Sequence, residues 1–384
     1  GKIVKFIDFS DFKVFEGVGI QTMIFVFRKK KPEKSYKMLY GKINDKNLEV
    51  SSVEKLLMSG LEEGIGGTTI YEAIINPQEL KDTLLSFSSD SLSSLFEKIE
   101  KVSNFKLKNE DIGDGIDVLQ DFVTENHLLK IEDKSIKKGD GIFILSNNYS
   151  NSLKLNNIEI SYLRPYYTTK QIYRYTSLRD NSEYKIIYAD KYFRENIGLF
   201  PNLKKHLDRF KNILTSVFAP YGIHRTREEK FFKGEGVFLL RKTMKPAFTY
   251  VDFPCYVTRA FLVLKPDGID LKYLTALFNS KLFYFWFKNK GKKQGEQLQI
   301  DKEPLTQAPI FITTDKNNIS IIKNLVDKML ELNKKLQKID PILDEEEYKA
   351  LKSEIDKTDK EIDEKVYKLY GLTPEEIKII ESNK

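Results

Sequence analysis

Hydrophobic and polar positions change their period several times along the 384 residues. The first stretch, KIVKFIDFSDFKVFEGVGIQTMIFVFRKKK, is strand-like. Ile3, Val4, Phe6, Ile7 and Phe9 precede a polar break at Ser10 and Asp11, and Val14 and Phe15 lead to a turn at Gly17 and Gly19. The run IQTMIFVFR is β-branched and aromatic, a pattern that predicts a buried strand. Together these predict two strands at the edge of a sheet whose other strands are absent. Over 50–106 the period lengthens. SSVEKLLMSGL and DSLSSLFEKIEKVSNF show helical spacing behind serine or aspartate, whose side-chain oxygens cap free N–H groups. GIGGTT between them reads as a turn. It is not a phosphate loop, because no Gly-Lys-Ser/Thr follows.

Short strands return near Asp111. IGDGIDVLQDFV and KKGDGIFILS each set Gly-Asp-Gly before an apolar run, a turn leading into a strand. EYKIIYAD and GVFLLRK read as buried strands and FPCYVTRAFLVLKP as a longer one. NLKKHLDRFKNILTSVF predicts an amphipathic helix with Leu203, Leu207, Phe210, Ile213 and Leu214 on one side. DLKYLTALFNSKLFYFWFK predicts a second, aromatic-rich helix. In the tail, Ile322, Leu325, Val326, Met329, Leu332 and Leu336 form one stripe. Tyr348, Leu351, Ile355, Ile362, Val366 and Leu369 form another, so the two helices should pair antiparallel. Gly371 fits a helix C-terminus and Thr373-Pro374 the start of a new turn. The expected fold class is α+β: short mixed or antiparallel sheets with packed helices and a C-terminal antiparallel helical pair. The expected divisions are 1–45, 46–108, 109–315 and 316–384.

Hydrophobic residues make up 41% and aromatics 12%, enough for a sizeable core and too many for a disordered chain. No apolar run approaches the roughly 20 residues of a membrane span, so no membrane partner is expected. The chain starts on Gly1 rather than Met, as a trimmed or expressed fragment would. The one cysteine, Cys255, allows no internal disulfide and points to a cytoplasmic location. With histidines only at His127, His206 and His224, a Cys/His zinc site is not expected.

Charge changes the picture most. From Ser161 to Ile300 there are 26 Lys+Arg against 12 Asp+Glu, a local +14 in a chain of +7, which leaves −7 for the rest. A basic block of this kind is the electrostatic footprint of a phosphate-rich partner. Its alternative is a solubilising lysine-rich surface. Four stretches carry candidate nucleic-acid contacts. In RPYYTTKQIYRY, Arg164, Lys170 and Arg174 suit phosphates, and Thr168, Thr169 and Gln171 suit phosphate oxygens or base edges. Tyr166 and Tyr167 follow Pro165 and are expected on an exposed loop, while Tyr173 and Tyr175 alternate so that one side faces a core. In YGIHRTREEK, Arg225 and Arg227 suit guanine edges, with His224 and Lys230 beside them and Glu228 and Glu229 as rival partners. LLRKTMKPAF places Arg241, Lys242, Thr243 and Lys245 just after a strand. KNKGKKQGEQLQ offers Lys292, Lys293, Gln294 and Gln297, or else a flexible linker.

Catalytic patterns are lacking. PDGIDLK resembles a PD…D-x-K nuclease site, but Asp267 and Asp270 sit within one turn and read better as a turn and a helix N-cap. INPQEL matches an Asn-Pro-Pro-aromatic motif only in its first two residues. No catalytic residue and no metal ligand is assigned.

Several motifs nevertheless converge on a family. FIDFSDFKVFEGVGIQTMIFVFRKKK, IGDGI…GDGIFILS…YLRPYYTTKQIYRY…YKIIYAD, YLTALFNSKLFYFWFK with LTQAPIFI, and IIKNLVDKMLELNKKLQ…IDEKVYKLYGLTPEEIKII occur in that order over almost the whole chain. The chain resembles the C-terminal part of TaqI-like adenine-N6 DNA methyltransferases, in particular type IIG restriction–modification enzymes. The resemblance implies the last strands of a methyltransferase domain over 1–45, a connector or insertion over 46–108, a target-recognition domain over 109–315 and the closing helices over 316–384. It implies double-stranded DNA and the remaining methyltransferase domain as partners. S-adenosylmethionine, and magnesium where a nuclease domain exists, would then belong to the parent enzyme, with no cofactor held by this fragment. The rival expectations are a stand-alone specificity subunit that recruits a methyltransferase, an RNA-binding or scaffold protein, and an intact enzyme of unfamiliar type.

Overall fold

The computed structural model describes residues 1–10, 12–15, 17, 21–30, 35–61, 64–75, 77, 90–294 and 297–382. Among them the fold is α+β, as the patterning predicts. The first sheet joins Lys2–Asp8 to Met23–Arg28 antiparallel and to Tyr36–Ile43 parallel, and Thr68–Ile75 pairs antiparallel with Tyr36–Ile43. One side packs Ile7, Phe9 and Ile43 against Val53 and Leu56 of the helix Val50–Met58. The other side clusters Tyr36, Met38, Tyr40, Ala73 and Ile75.

Two expectations change here. The strand Met23–Arg28 is not buried: it is exposed throughout, with Phe25 at 56% and Phe27 at 63%. It is the edge of its sheet, and no described residue covers either face. Segment 46–108 is not wholly helical. TTIYEAII is β-branched and pairs along eight positions with Tyr36–Ile43, while the helix Asp90–Val102 joins a different core through Phe96, whose ring stacks on Phe285 at 5.1 Å. The INPQEL stretch lies mostly outside the described residues.

Two further four-stranded sheets arise within 109–315. One runs in the order Tyr256–Val257, Leu163–Tyr167, Tyr184–Ile187, Ile144–Ser146. The other runs Phe248–Val251, Gly236–Leu240, Phe261–Leu264, Ile112–Asp114. The single long strand expected over FPCYVTRAFLVLKP is therefore two strands, one in each sheet. Between them the Ala260 N–H donates to the Thr258 hydroxyl at 3.1 Å, and the Arg259 N–H leaves to bond Ile116 at 2.8 Å. A strand that bends from sheet to sheet makes a corner.

The helices also break where side chains compete for the backbone. The predicted helix around Leu203 stops at Asp208 and continues as a tight turn over Lys211–Ile213. Leu203, Leu207, Phe210 and Ile213 are buried as expected. The aromatic-rich helix splits into Leu271–Asn279 and Lys281–Lys290. The Asn279 amide grips the Phe248 backbone, accepting its N–H at 3.0 Å and donating to its carbonyl at 2.8 Å, and the Ser280 hydroxyl caps the second helix. Asp270 accepts the N–H groups of Lys272 and Tyr273, which makes it the N-cap that its spacing predicts. Phe278, Phe283, Phe285, Trp286 and Phe287 then form one aromatic core with Ile322, Val326, Met329, Ile362, Val366 and Tyr370 of the tail.

The tail helices Lys316–Leu336 and Glu345–Leu369 return on each other, with Lys328 Nζ 2.5 Å from Glu354. No described helix is long and apolar enough to cross a membrane. The tail locks onto the second aromatic helix through Asp363, whose carboxylate accepts the Lys281 N–H at 2.8 Å. Burial, with Asp359 adding to it, lifts the Asp363 carboxyl to about 6. Its folded value thus exceeds its unfolded one, so folding binds a proton over that interval and stability rises as pH falls from about 6 to about 4. Asp363→Asn keeps the acceptor and removes the titration. Urea melts should show that the variant gains less stability, or loses more, than the parent as pH falls from about 6 to about 4; an unchanged pH dependence would place the titration elsewhere.

Candidate nucleic-acid interface

The first Gly-Asp-Gly motif builds the centre of the site. A β-carbon at Gly113 would collide with the Phe231 ring, and one at Gly115 with the Thr258 carbonyl oxygen. Only glycine admits these approaches, and they hold Asp114 between three other segments. The Asp114 carboxylate lies 3.1 Å from Lys302 Nζ, 3.5 Å from Arg241 Nη1 and 3.8 Å from Arg227 Nη1. Arg241 also donates to Asp301 at 2.6 Å, and Asp301 accepts from Gln299 at 2.8 Å and faces Lys292 at 3.8 Å. Burial raises the Asp301 carboxyl, but the hydrogen bonds from Arg241 and Gln299 outweigh it and leave the group below the usual carboxylate range. Four cations thus surround two carboxylates, and the cluster remains positive.

Sheet pairing brings distant candidates to this cluster. Lys242–Thr243 pairs with Gln297–Gln299, which pairs with Lys292–Gln294, so two predicted stretches form one three-stranded ribbon. The side chains of Lys293 and Gln294 lie outside the described residues. The YGIHRTREEK stretch joins through Asp117, whose backbone exchanges both hydrogen bonds with Arg225 at 3.0 and 3.1 Å. Arg225, Lys242 and Lys245 are exposed and pair with no acid among the described residues. Gln297 is exposed on the same ribbon. Arg227 has a left-handed backbone (φ 65°), and its Nε is buried without a partner, as is Nδ1 of His224. Strain and unmet donors of this kind gather at binding sites.

Two members escaped the sequence reading. Arg259 sits at the corner between the sheets, 67% exposed, 3.6 Å from Asp117. Its signal was the polar Thr-Arg-Ala break inside an apolar run. Lys302 follows Asp301 at a helix start and also donates to the Ile112 carbonyl at 2.8 Å. Its carboxylate partner is far away in sequence, so no local pattern marks it.

Other predicted contacts turn inward. Tyr166 and Tyr167 are not on an exposed loop; they lie in a strand, each 3% exposed. They point to opposite sides of the strand, and both sides are packed: the Tyr167 ring lies 5.3 Å from that of Phe253, and its hydroxyl donates to the Arg179 carbonyl. Arg164 donates to Glu229 at 2.9 Å and to Tyr256 at 3.1 Å. Arg174 is bonded to Asp359 of the tail at 2.7 Å and to the Asn279 carbonyl at 3.1 Å. Gln171 is buried and accepts from the Thr168 N–H and hydroxyl, so neither is aimed outward. Tyr173 and Tyr175, two residues apart, would share a face in one strand; instead the strand ends at Tyr173, and Tyr175 sits in the following turn with a left-handed backbone (φ 49°), buried while Tyr173 is exposed. Thr169 and Lys170 stay exposed, with Lys170 3.6 Å from Glu183. Lys230 pairs with Glu228 at 2.9 Å. Thr243 is buried and bonds the Lys245 carbonyl.

Comparison with known proteins agrees with this architecture. No protein-family model matches the chain. Two curated relatives are similar: the type II methyltransferase M.HincII of Haemophilus influenzae, 25% identical over 88% of this chain and 66% of its own length, and the type II methyltransferase M.HindII of Haemophilus influenzae strain Rd, 25% identical over 88% and 67%. Among solved structures, the type IIL restriction-modification enzyme MmeI, solved in complex with DNA, superposes with a TM-score of 0.55 at 14% identity. The superposition covers 98% of this chain and 44% of MmeI. The chain is a homologue of type II methyltransferases, and it spans about two thirds of the length of these curated relatives.

The inward and outward arginines should behave differently. Arg174→Ala strands Asp359 beside a buried helix junction and should cost about 2–3 kcal/mol of folding stability, discounted for its partial exposure. Arg225→Ala should stay within about 0.5 kcal/mol of the parent. Denaturant melts of both variants read this directly, and equal losses would refute the division.

Proposed function

We propose that this chain is the double-stranded DNA recognition part of a type II restriction–modification methyltransferase that methylates adenine at N6. The observation that carries the reading is the positive cluster around Asp114 and Asp301, flanked by Arg225, Lys242, Lys245 and Arg259. Five separate segments of a chain homologous to type II methyltransferases contribute to it. In this reading the lysines neutralise phosphates and set the register of the duplex. Arg225 and Arg227 reach base edges, where a guanidinium paired with guanine O6 and N7 discriminates by about 1–3 kcal/mol.

Elsewhere in the whole protein, an adenine turned out of the duplex receives a methyl group from S-adenosylmethionine. The proposal assigns S-adenosylmethionine to the whole protein, magnesium likewise where a nuclease domain is present, and no residue of this chain to either. The uncovered apolar strand Met23–Arg28 supports the remaining methyltransferase domain as its partner. A strand with both faces uncovered suits continuation of a sheet better than a free-standing specificity subunit.

Fluorescence anisotropy tests the division of labour. Arg225→Ala should narrow the affinity gap between a preferred and a scrambled duplex by about tenfold. Lys242→Ala should weaken both alike and lower the salt slope by about 0.9. If both substitutions leave both affinities unchanged, the assignment of this face is wrong.

A further inference from the structure

A second group of cations lies away from the Asp114 cluster. In the sheet built on Leu163–Tyr167 and Tyr184–Ile187, Tyr166 and Ile186 face the core. Alternate residues point the other way, and there Lys185 stands in register with Pro165. On that face opens a cleft of about 550 Å3, within the range of small-ligand sites. Lys154, Arg179 and Lys185 line it with no carboxylate among the described lining residues. Lys154 and Lys185 have no acid partner among the described residues. Arg179 shares Asp252 at 3.1 Å but stays 58% exposed, with donors to spare. Lys185 is half-buried on an inner strand. Asn151 adds a polar group to the rim, while Leu163 and Pro165 give a flat apolar wall.

We propose that this cleft binds a phosphate-bearing ligand of the nucleotide class. The phosphate sits among Lys154, Arg179 and Lys185, and the flat body of the ligand lies on Leu163 and Pro165. The phosphate can belong to a free nucleotide or to one nucleotide of a polynucleotide chain. This site does not depend on the duplex-reading face, and a test can separate the two.

The described chain is titrated in a calorimeter with AMP, adenosine, inorganic phosphate and a short single-stranded oligonucleotide. AMP should bind, and adenosine should bind at least about tenfold more weakly, the effect of losing charge-assisted hydrogen bonds. Lys185→Gln and Lys154→Gln should each weaken AMP by about tenfold, and Lys185→Arg should restore binding. If AMP fails but oligonucleotide binding falls with Lys185→Gln and with Lys154→Gln, the phosphate comes from a polynucleotide and the site stands. If no probe responds to Lys154→Gln or Lys185→Gln while both variants melt like the parent, the proposal is overturned. Loss of duplex binding through Lys242 would leave this result untouched.

Discussion

A cation held by its own protein's carboxylate is only partly available to a phosphate, and this competition decides which basic residues here form a surface. Arg164 and Arg174 are each matched with an acid and a backbone or tyrosine acceptor, and they act as fastenings. Around Asp114 and Asp301 the balance is different, because cations outnumber carboxylates. The two acids keep the guanidinium of Arg241 fixed without neutralising the group. Such a cluster is oriented in advance and still attracts polyanions, which reduces the ordering cost of binding.

The fold assembles that cluster from segments distant in sequence. Asp114 comes from one sheet edge, Arg259 from the corner between two sheets, Lys242 and Lys292 from a ribbon, and Lys302 from a helix start. Glycine at 113 and 115 allows the segments to approach. Behind them, the aromatic helices and the tail form a continuous core, and the Arg174–Asp359 and Lys281–Asp363 contacts pin the tail to the residues of 109–315. The tail is thereby part of the same packed body as the strands that carry the candidate contacts.

Much of this was legible from local pattern. The helical stripes of the tail, the N-cap at Asp270, and the buried strands around Ile186 and Phe238 follow from periodicity and capping alone. What was not legible depends on partners distant in sequence. Nothing near Arg174 announces Asp359, 185 residues away, and nothing near Lys302 announces Asp114. The break at Ser280 comes from the grip of Asn279 on the Phe248 backbone, which the helical period cannot show. Met23–Arg28 illustrates the opposite case: its composition calls for burial, and the described residues do not supply it. The resemblance to restriction–modification methyltransferases rested on motif order and spacing, and the two curated relatives share it over 88% of the chain.

The central claim is that this chain reads duplex DNA by sequence. Selection of binding sites from randomised duplex DNA at about 0.1 M salt, where nonspecific attraction is already partly screened, tests it most directly. The account predicts that one short motif is enriched from round to round. Duplexes retained without any enriched motif, or no retention at all, would contradict it.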